Sequence, residues 1–176
     1  MCDDKTITEL LGIQGWNVKN IEVDDLNGNL KVQLERDSGL SCECASCGQL
    51  HMLVYDHYPS RIVEDLSAWG RKTYLEFSQA RVFCSACGGI QAEKLDWVEP
   101  YQHQTIRYQR YLATLCDFMP VADVAELTGI SKDTLYRLDK RYLKERHDNY
   151  SKEHKVSYLG IDEISIKKGH KYAAVF

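Results

Sequence analysis

Apolar positions recur along this chain with two different periods, and the change from one to the other divides it. Leu30, Val32 and Leu34 alternate with Lys31 and Gln33, the spacing of a strand that buries one face. Ahead of them Ile7-Thr8-Glu9-Leu10-Leu11 has near-helical spacing, and Asn27-Gly28 separates Ile21-Glu22-Val23 from the strand. Asn-Gly tolerates positive φ at both central positions, so a type I′ hairpin turn is predicted there. Residues 1–40 therefore read as a small α+β lead-in. From Cys42 to Cys87 the pattern is strand-rich: Leu53-Val54-Tyr55, then Thr73 to Phe77, then Ala80 to Phe83, with Gly70 turning the chain between strands. Residues 88–103, holding Gly88-Gly89 and Pro100, form a connector.

From Thr105 the period becomes helical. Ile106, Tyr108, Tyr111, Leu112, Leu115 and Phe118 suit a helix that ends near Pro120, which cannot continue it. A second helical run covers Val121 to Leu127, breaks at Thr128-Gly129, and resumes from Ser131 to about Glu145. Val156 to Asp162 reads as a short buried strand. A turn at Lys168-Gly169 and a second strand from Tyr172 to Phe176 follow.

Composition narrows the class. The chain has 176 residues, 44% apolar and 27% charged, with 3 Pro and 11 Gly, which excludes disordered and collagen-like chains. No apolar run reaches the roughly 18 residues of a membrane span, and Met1-Cys2-Asp3-Asp4-Lys5 lacks the features of a signal peptide. A cytoplasmic protein without membrane partners is expected. The net charge of −4 hides an asymmetry. Between Lys132 and Arg146 six basic side chains face three acids, a local +3.

Seven cysteines is an odd number, and four lie in matched pairs: Cys44-Ala45-Ser46-Cys47-Gly48 and Cys84-Ser85-Ala86-Cys87-Gly88. Two thiolates three positions apart, each pair followed by a residue free to take positive φ, form a zinc knuckle. Two knuckles complete a closed four-cysteine shell around Zn2+, which makes the site structural. Buried thiols or a redox pair are the competing readings. Cys42 has only one spacer before Cys44 and is placed beside the site, not in it. His51 and His57 are substitute ligands in principle.

Residues 121–138 have the spacing of a DNA-reading helix-turn-helix. Ala125 is small where two helices cross, Gly129 makes the turn, Ile130, Leu135 and Leu138 face inward, and Ser131 caps the second helix. Its first turn and outer face present Lys132, Asp133, Thr134, Tyr136, Arg137, Lys140 and Arg141. Lys132, Asp133, Thr134 and Arg137 are assigned to the groove of double-stranded DNA, and Lys140, Arg141 and Lys144 to its phosphates. An ordinary helical hairpin with a solvated charged face is the alternative, and the local +3 favours DNA.

Leu159-Gly160-Ile161-Asp162-Glu163 puts an acidic pair at a strand end. Side chains alternate along a strand, so the two acids point to opposite faces and cannot both ligate one metal. Two-metal phosphoryl transfer needs several acids, and this segment alone reads as a solvated strand end.

In order, the two Cys-x-x-Cys-Gly knuckles, the helix-turn-helix, and Leu-Gly-Ile-Asp-Glu followed by Lys-Lys-Gly-His-Lys-Tyr resemble the N-terminal part of bacterial insertion-sequence transposases of the zinc-finger DDE group, the L-three family. The resemblance covers roughly residues 40 to 176, including Arg61, Leu66, Gly70, Arg81 and Phe83 of the ribbon. It implies that the ribbon and helix-turn-helix bind terminal inverted repeats. It also implies that Asp162 is the first of three acids holding Mg2+ in an RNase H-like domain. The later two acids are missing, so this chain alone is expected to bind without cutting. The implied architecture is α+β and multi-module: residues 1–40, a four-cysteine zinc ribbon over 41–99, a helix-turn-helix module over 100–157, and the first two strands of a truncated RNase H-like domain over 158–176. A homodimer is compatible with it. A stand-alone zinc-containing transcriptional regulator, dimerised by its C-terminal hairpin, is the alternative.

Overall fold

The computed structural model describes residues 4–153, 162–167 and 171–175, and the chain separates into two compact units, Met1–Leu138 and Asp139–Phe176. The first unit opens with α1 (Asp4–Leu11), β1 (Trp16–Val23) and β2 (Leu30–Arg36). Short strands β3 (Cys42–Glu43), β4 (Leu50–His51) and β5 (Asp56–His57) follow, then β6 (Arg61–Ala68), β7 (Arg71–Phe77), β8 (Ala80–Cys84) and β9 (Gly89–Ala92). Three helices come next: α2 (Ile106–Phe118), α3 (Val121–Thr128) and α4 (Lys132–Glu153), the last running into the second unit. That unit ends in the antiparallel pair β10 (Asp162–Lys167) and β11 (Lys171–Val175).

The main sheet has strand order β1-β2-β7-β6. β1 and β2 pair antiparallel, as alternation predicts, but β2 and β7 pair in parallel, Leu30 opposite Thr73 and Val32 opposite Leu75. The sheet therefore crosses residue 40, and the lead-in and the ribbon's long hairpin share one core. Parallel pairing joins residues 43 apart in the chain, so no local pattern announces it. The core packs Trp16 edge-on to Phe77 at 5.5 Å and to Trp97 at 5.7 Å, with Leu75 and Val63 fully buried behind them.

One turn differs from expectation, and the turn expected at Gly70 takes over its role. Between β1 and β2 only Gly28 is left-handed (φ 67), so Asn27-Gly28 does not form a type I′ turn. The loop is wider because the Asp24 carboxylate takes the backbone N–H groups of Leu26 (2.9 Å) and Asn27 (3.4 Å). The two-residue left-handed turn lies instead at Trp69-Gly70, φ 51 and 73, between β6 and β7. Leu53-Val54-Tyr55 is not a strand. The segment bends between β4 and β5, where Leu53 is 84% exposed, and it meets β8 at its end, the Tyr55 N–H donating to the Arg81 carbonyl at 2.7 Å.

The helices begin and end where sequence chemistry requires. The Thr105 hydroxyl caps α2 by accepting from the Tyr108 N–H at 3.3 Å, and the Gly129 N–H closes α3 on the Ala125 carbonyl at 2.9 Å. α4 runs eight residues past the expected end at Glu145, to Glu153. Nothing in that stretch breaks it. The expected strand over 156–162 lies outside the described residues except for Asp162, which opens β10, and the turn at 168–169 also lies outside them.

Candidate metal centre and nucleic-acid interface

The two Cys-x-x-Cys turns lie 37 residues or more apart in the chain, yet the sulfurs of Cys44, Cys47, Cys84 and Cys87 all lie within 4.8 Å of one another. The β3–β4 turn carries one pair and the β8–β9 turn the other. The Ala45 N–H donates to the Ala92 carbonyl at 3.0 Å, and Cys44 bridges Glu93, which binds the two turns together. Gly48 (φ 76) and Gly88 (φ 72) both sit in the left-handed region that a side chain resists, which is why each knuckle ends in glycine.

Cys47 and Cys84 sulfurs are 3.5 Å apart, and Cys44 and Cys87 sulfurs 3.9 Å. Four Zn–S bonds of about 2.3 Å in tetrahedral array require S···S edges of about 3.8 Å, a spacing these two edges already approach, with all four sulfurs within 4.8 Å of one another. The backbone prepares one ligand in advance. Burial raises the Cys44 thiol, but the N–H groups of Cys47 and Ser46 point at its sulfur and more than reverse this, lowering it to about 7. Cys87 moves the other way, to about 12, because the Cys47 sulfur and then burial disfavour a further negative charge beside it. Without a cation four adjacent thiolates repel, and a divalent ion removes that conflict. Cys42 stands apart, as the spacing predicts. Burial first, and the Glu93 carboxylate second, push its thiol up to about 11, the behaviour of an inert core cysteine. His51 pairs across from Cys42 and, with His57, is outside the four-sulfur cluster.

In the helix-turn-helix, Val124, Ile130, Leu135 and Leu138 are buried, as their spacing requires. The Ser131 hydroxyl accepts from the Thr134 N–H at 3.3 Å, capping α4. Lys132, Asp133, Tyr136, Arg137, Lys140 and Lys144 are exposed, while Thr134 and Arg141 are half-buried. Arg137 leans toward the helix start, donating to the Asp133 carbonyl and the Thr134 hydroxyl, each at 3.3 Å, so three of the groove candidates are joined at the start of α4. The Arg141 guanidinium lies 4.9 Å over the Tyr142 ring. The Asp162 backbone lies in β10 opposite Val175.

The residues that hold α2 and the turn of the helix pair to the sheet carry no motif. The buried Asp65 carboxylate receives Thr105 Oγ1 at 2.6 Å and Arg107 Nε at 2.7 Å, and Arg107 also donates to the Leu11 carbonyl at 2.6 Å. Residues 103–105 add themselves to the edge of β6, Glu64 N–H to the His103 carbonyl and Thr105 N–H to the Glu64 carbonyl. Lys72 Nζ donates to the Thr128 carbonyl at 2.7 Å, at the turn between α3 and α4, and pairs with Glu64 at 3.7 Å. A charged side chain at the C-terminal end of a helix meets the negative end of its dipole. From Asp65 to Thr105, Lys72 to Thr128 and Leu11 to Arg107 they span 40, 56 and 96 residues, too far for any periodicity to mark them.

Four thiolates on paired knuckles, set in one unit with a capped helix-turn-helix whose second helix exposes a basic face, define a zinc-ribbon and helix-turn-helix protein of the DNA-handling class. Comparisons narrow this. The zinc-finger profile of the transposases of IS204, IS1001, IS1096 and IS1165 matches residues 41–87, and the helix-turn-helix domain of transposase family ISL3 matches residues 93–143. The transposase for insertion sequence element IS1001 of Bordetella parapertussis is 31% identical over 178 residues, covering 99% of this chain and 43% of that protein. The chain thus carries the zinc-finger and helix-turn-helix regions of an ISL3-family transposase, and spans less than half the length of the curated relative it matches. No solved structure matches it significantly.

Proposed function

We propose that this chain recognises the terminal inverted repeats of an insertion sequence during DNA transposition. The observation that carries the reading is the joining of Asp133, Thr134 and Arg137 at the capped start of α4, whose first residue is Lys132. A recognition helix meets base edges with its N-terminal turn, and Arg137 has the fork that reads guanine. Tyr136 stands on the outer face beside them, and Lys140, Arg141 and Lys144 follow further along the helix as phosphate contacts. Zn2+ on Cys44, Cys47, Cys84 and Cys87 would hold the ribbon, its closed shell leaving no position for substrate.

The segments proposed are residues 1–40 and 41–99, which share the main sheet, then 100–157 and 158–176, the last contributing the first two strands of an RNase H-like domain. There Asp162 would be the first acid of a triad that holds Mg2+ and supports cleavage and strand transfer in a longer protein. The compartment proposed is the cytoplasm, where the DNA of an insertion sequence is carried. Among the described residues no helix is long and apolar enough to cross a membrane.

The test is a gel shift with the inverted-repeat duplex against a scrambled duplex of equal length. Preferential binding that Arg137→Ala abolishes supports the reading. Equal affinity for both duplexes, or no effect of Arg137→Ala, overturns it.

A further inference from the structure

Trp69 is a large aromatic residue at the first position of a two-residue left-handed turn, with φ 51, where Asn or Gly is the unstrained choice. Its side chain gains nothing from the fold in return. It is 77% exposed, whereas Trp16 is 5% exposed in the core. A non-glycine residue held in a costly conformation with its side chain in solvent points to a use outside the folded chain. Tyr101 is also left-handed (φ 60) and 94% exposed, but its loop is tied to Arg61, whose guanidinium donates to the Gln102 carbonyl at 2.5 Å, at the opposite end of β6.

The hairpin tip has a fixed relation to the reading helix. Three residues beyond Trp69, Lys72 Nζ binds the Thr128 carbonyl at 2.7 Å and lies 3.1 Å from where a Cβ on Gly129 would stand. Three strand residues span about 10 Å. The indole is thus within reach of a groove next to the one the helix enters, since half a turn of duplex is about 17 Å. Charge around the tip is close to balanced: Arg71 is bound to the Gly28 carbonyl at 2.9 Å, on the loop that carries Asp24 and Asp25. A contact made here is therefore apolar or stacking in character, not a phosphate clamp.

We propose that Trp69, on the β6–β7 hairpin, is a second DNA-contacting element that lays its indole against the same duplex read by α4, in the neighbouring groove. The inference rests on the DNA-binding reading above and adds a residue outside the helix-turn-helix to it. Aromatic side chains against bases or sugars act with little release of counterions.

The experiment uses the full chain with zinc and a fluorescein-labelled duplex selected by the chain from a random pool. Trp69→Asn keeps the turn, because Asn accepts positive φ, and its thermal midpoint should equal or exceed the parent's. Its affinity should fall about tenfold with an unchanged slope of log affinity against log salt. Lys140→Ala should lower that slope. On adding duplex, the parent's acrylamide-quenchable tryptophan emission should become protected, and the variant's should not change. Undiminished affinity in Trp69→Asn, or a lowered salt slope, overturns the hairpin contact while Arg137→Ala still reports on the helix. If no duplex is selected at all, the DNA-binding reading fails and this one fails with it.

Discussion

The ribbon end and the main sheet of the first unit are both built from short strands, yet different forces hold them. The sheet buries Trp16, Phe77, Leu75 and Val63, large side chains whose removal from water is favourable by about 1.5–3 kcal/mol each. Around the knuckles the buried residues are Cys42, Cys44, Ala80, Val82 and Cys84, a cluster of small side chains from β3, the turn after it and β8. Phe83, which would enlarge it, faces solvent at 60% exposure. The comparison teaches that one unit divides its stabilisation: apolar packing suffices at one end, and a metal must substitute for a core at the other.

Chelation is the strongest way to break that comparison. Stripping zinc removes on the order of 10 kcal/mol of binding free energy from the ribbon. The amides of β8 and β9 should lose protection in hydrogen exchange while those of β2 and β7 keep it. Simultaneous loss from both sheets would show that the two ends share one source of stability. Leu75→Ala attacks the other end. A fully buried leucine cut to alanine leaves a cavity worth about 2–5 kcal/mol, read as a lowered urea midpoint, with four thiols per chain still protected from alkylation by zinc in the folded protein. Thiols that become reactive in the native baseline would contradict the division.

A smaller effect separates reading from holding. Arg137→Ala should cost about tenfold in affinity for the selected duplex and relax base preference, and Lys140→Ala should weaken all duplexes alike. The smallest effect is electrostatic and belongs to the sheet. Lys31 Nζ lies 2.9 Å from the Glu76 carboxylate, and this contact first, aided by Ser60, lowers the Glu76 carboxyl below its ordinary value of 4.5. A lowered carboxyl contributes stability that is present above pH 4.5 and is lost as pH falls through the folded value. Glu76→Gln should therefore be slightly less stable than the parent at about pH 6, and the gap should close by about pH 3. A gap that persists there would assign the effect to packing.

Much of the site was legible in the chain because its chemistry is local. A Cys-x-x-Cys-Gly run is a turn with its ligands attached, and Gly129, Ser131 and the inward Leu135 and Leu138 lie within a few turns of one another. The turn at Gly129 and the cap at Ser131 were legible for the same reason. Local signals also misled. Asn27-Gly28 has the dipeptide of a tight turn, but the Asp24 carboxylate three residues earlier captured the backbone amides. At Trp69-Gly70 the flanking strands imposed a left-handed turn on a residue that would not choose it.

By itself the sequence determined which atoms can bind a soft metal and which helix turn can meet a base edge, because residue type and spacing over a few positions suffice for both. Only the tertiary structure decided that sulfurs 37 and 43 residues apart close into a tetrahedron. It alone decided that β2 and β7 run in parallel and that Lys72 reaches the turn of the helix pair. Such contacts are made by segments that meet only after the chain between them has folded. Their energy depends on the whole packing, and no short stretch of residues encodes it.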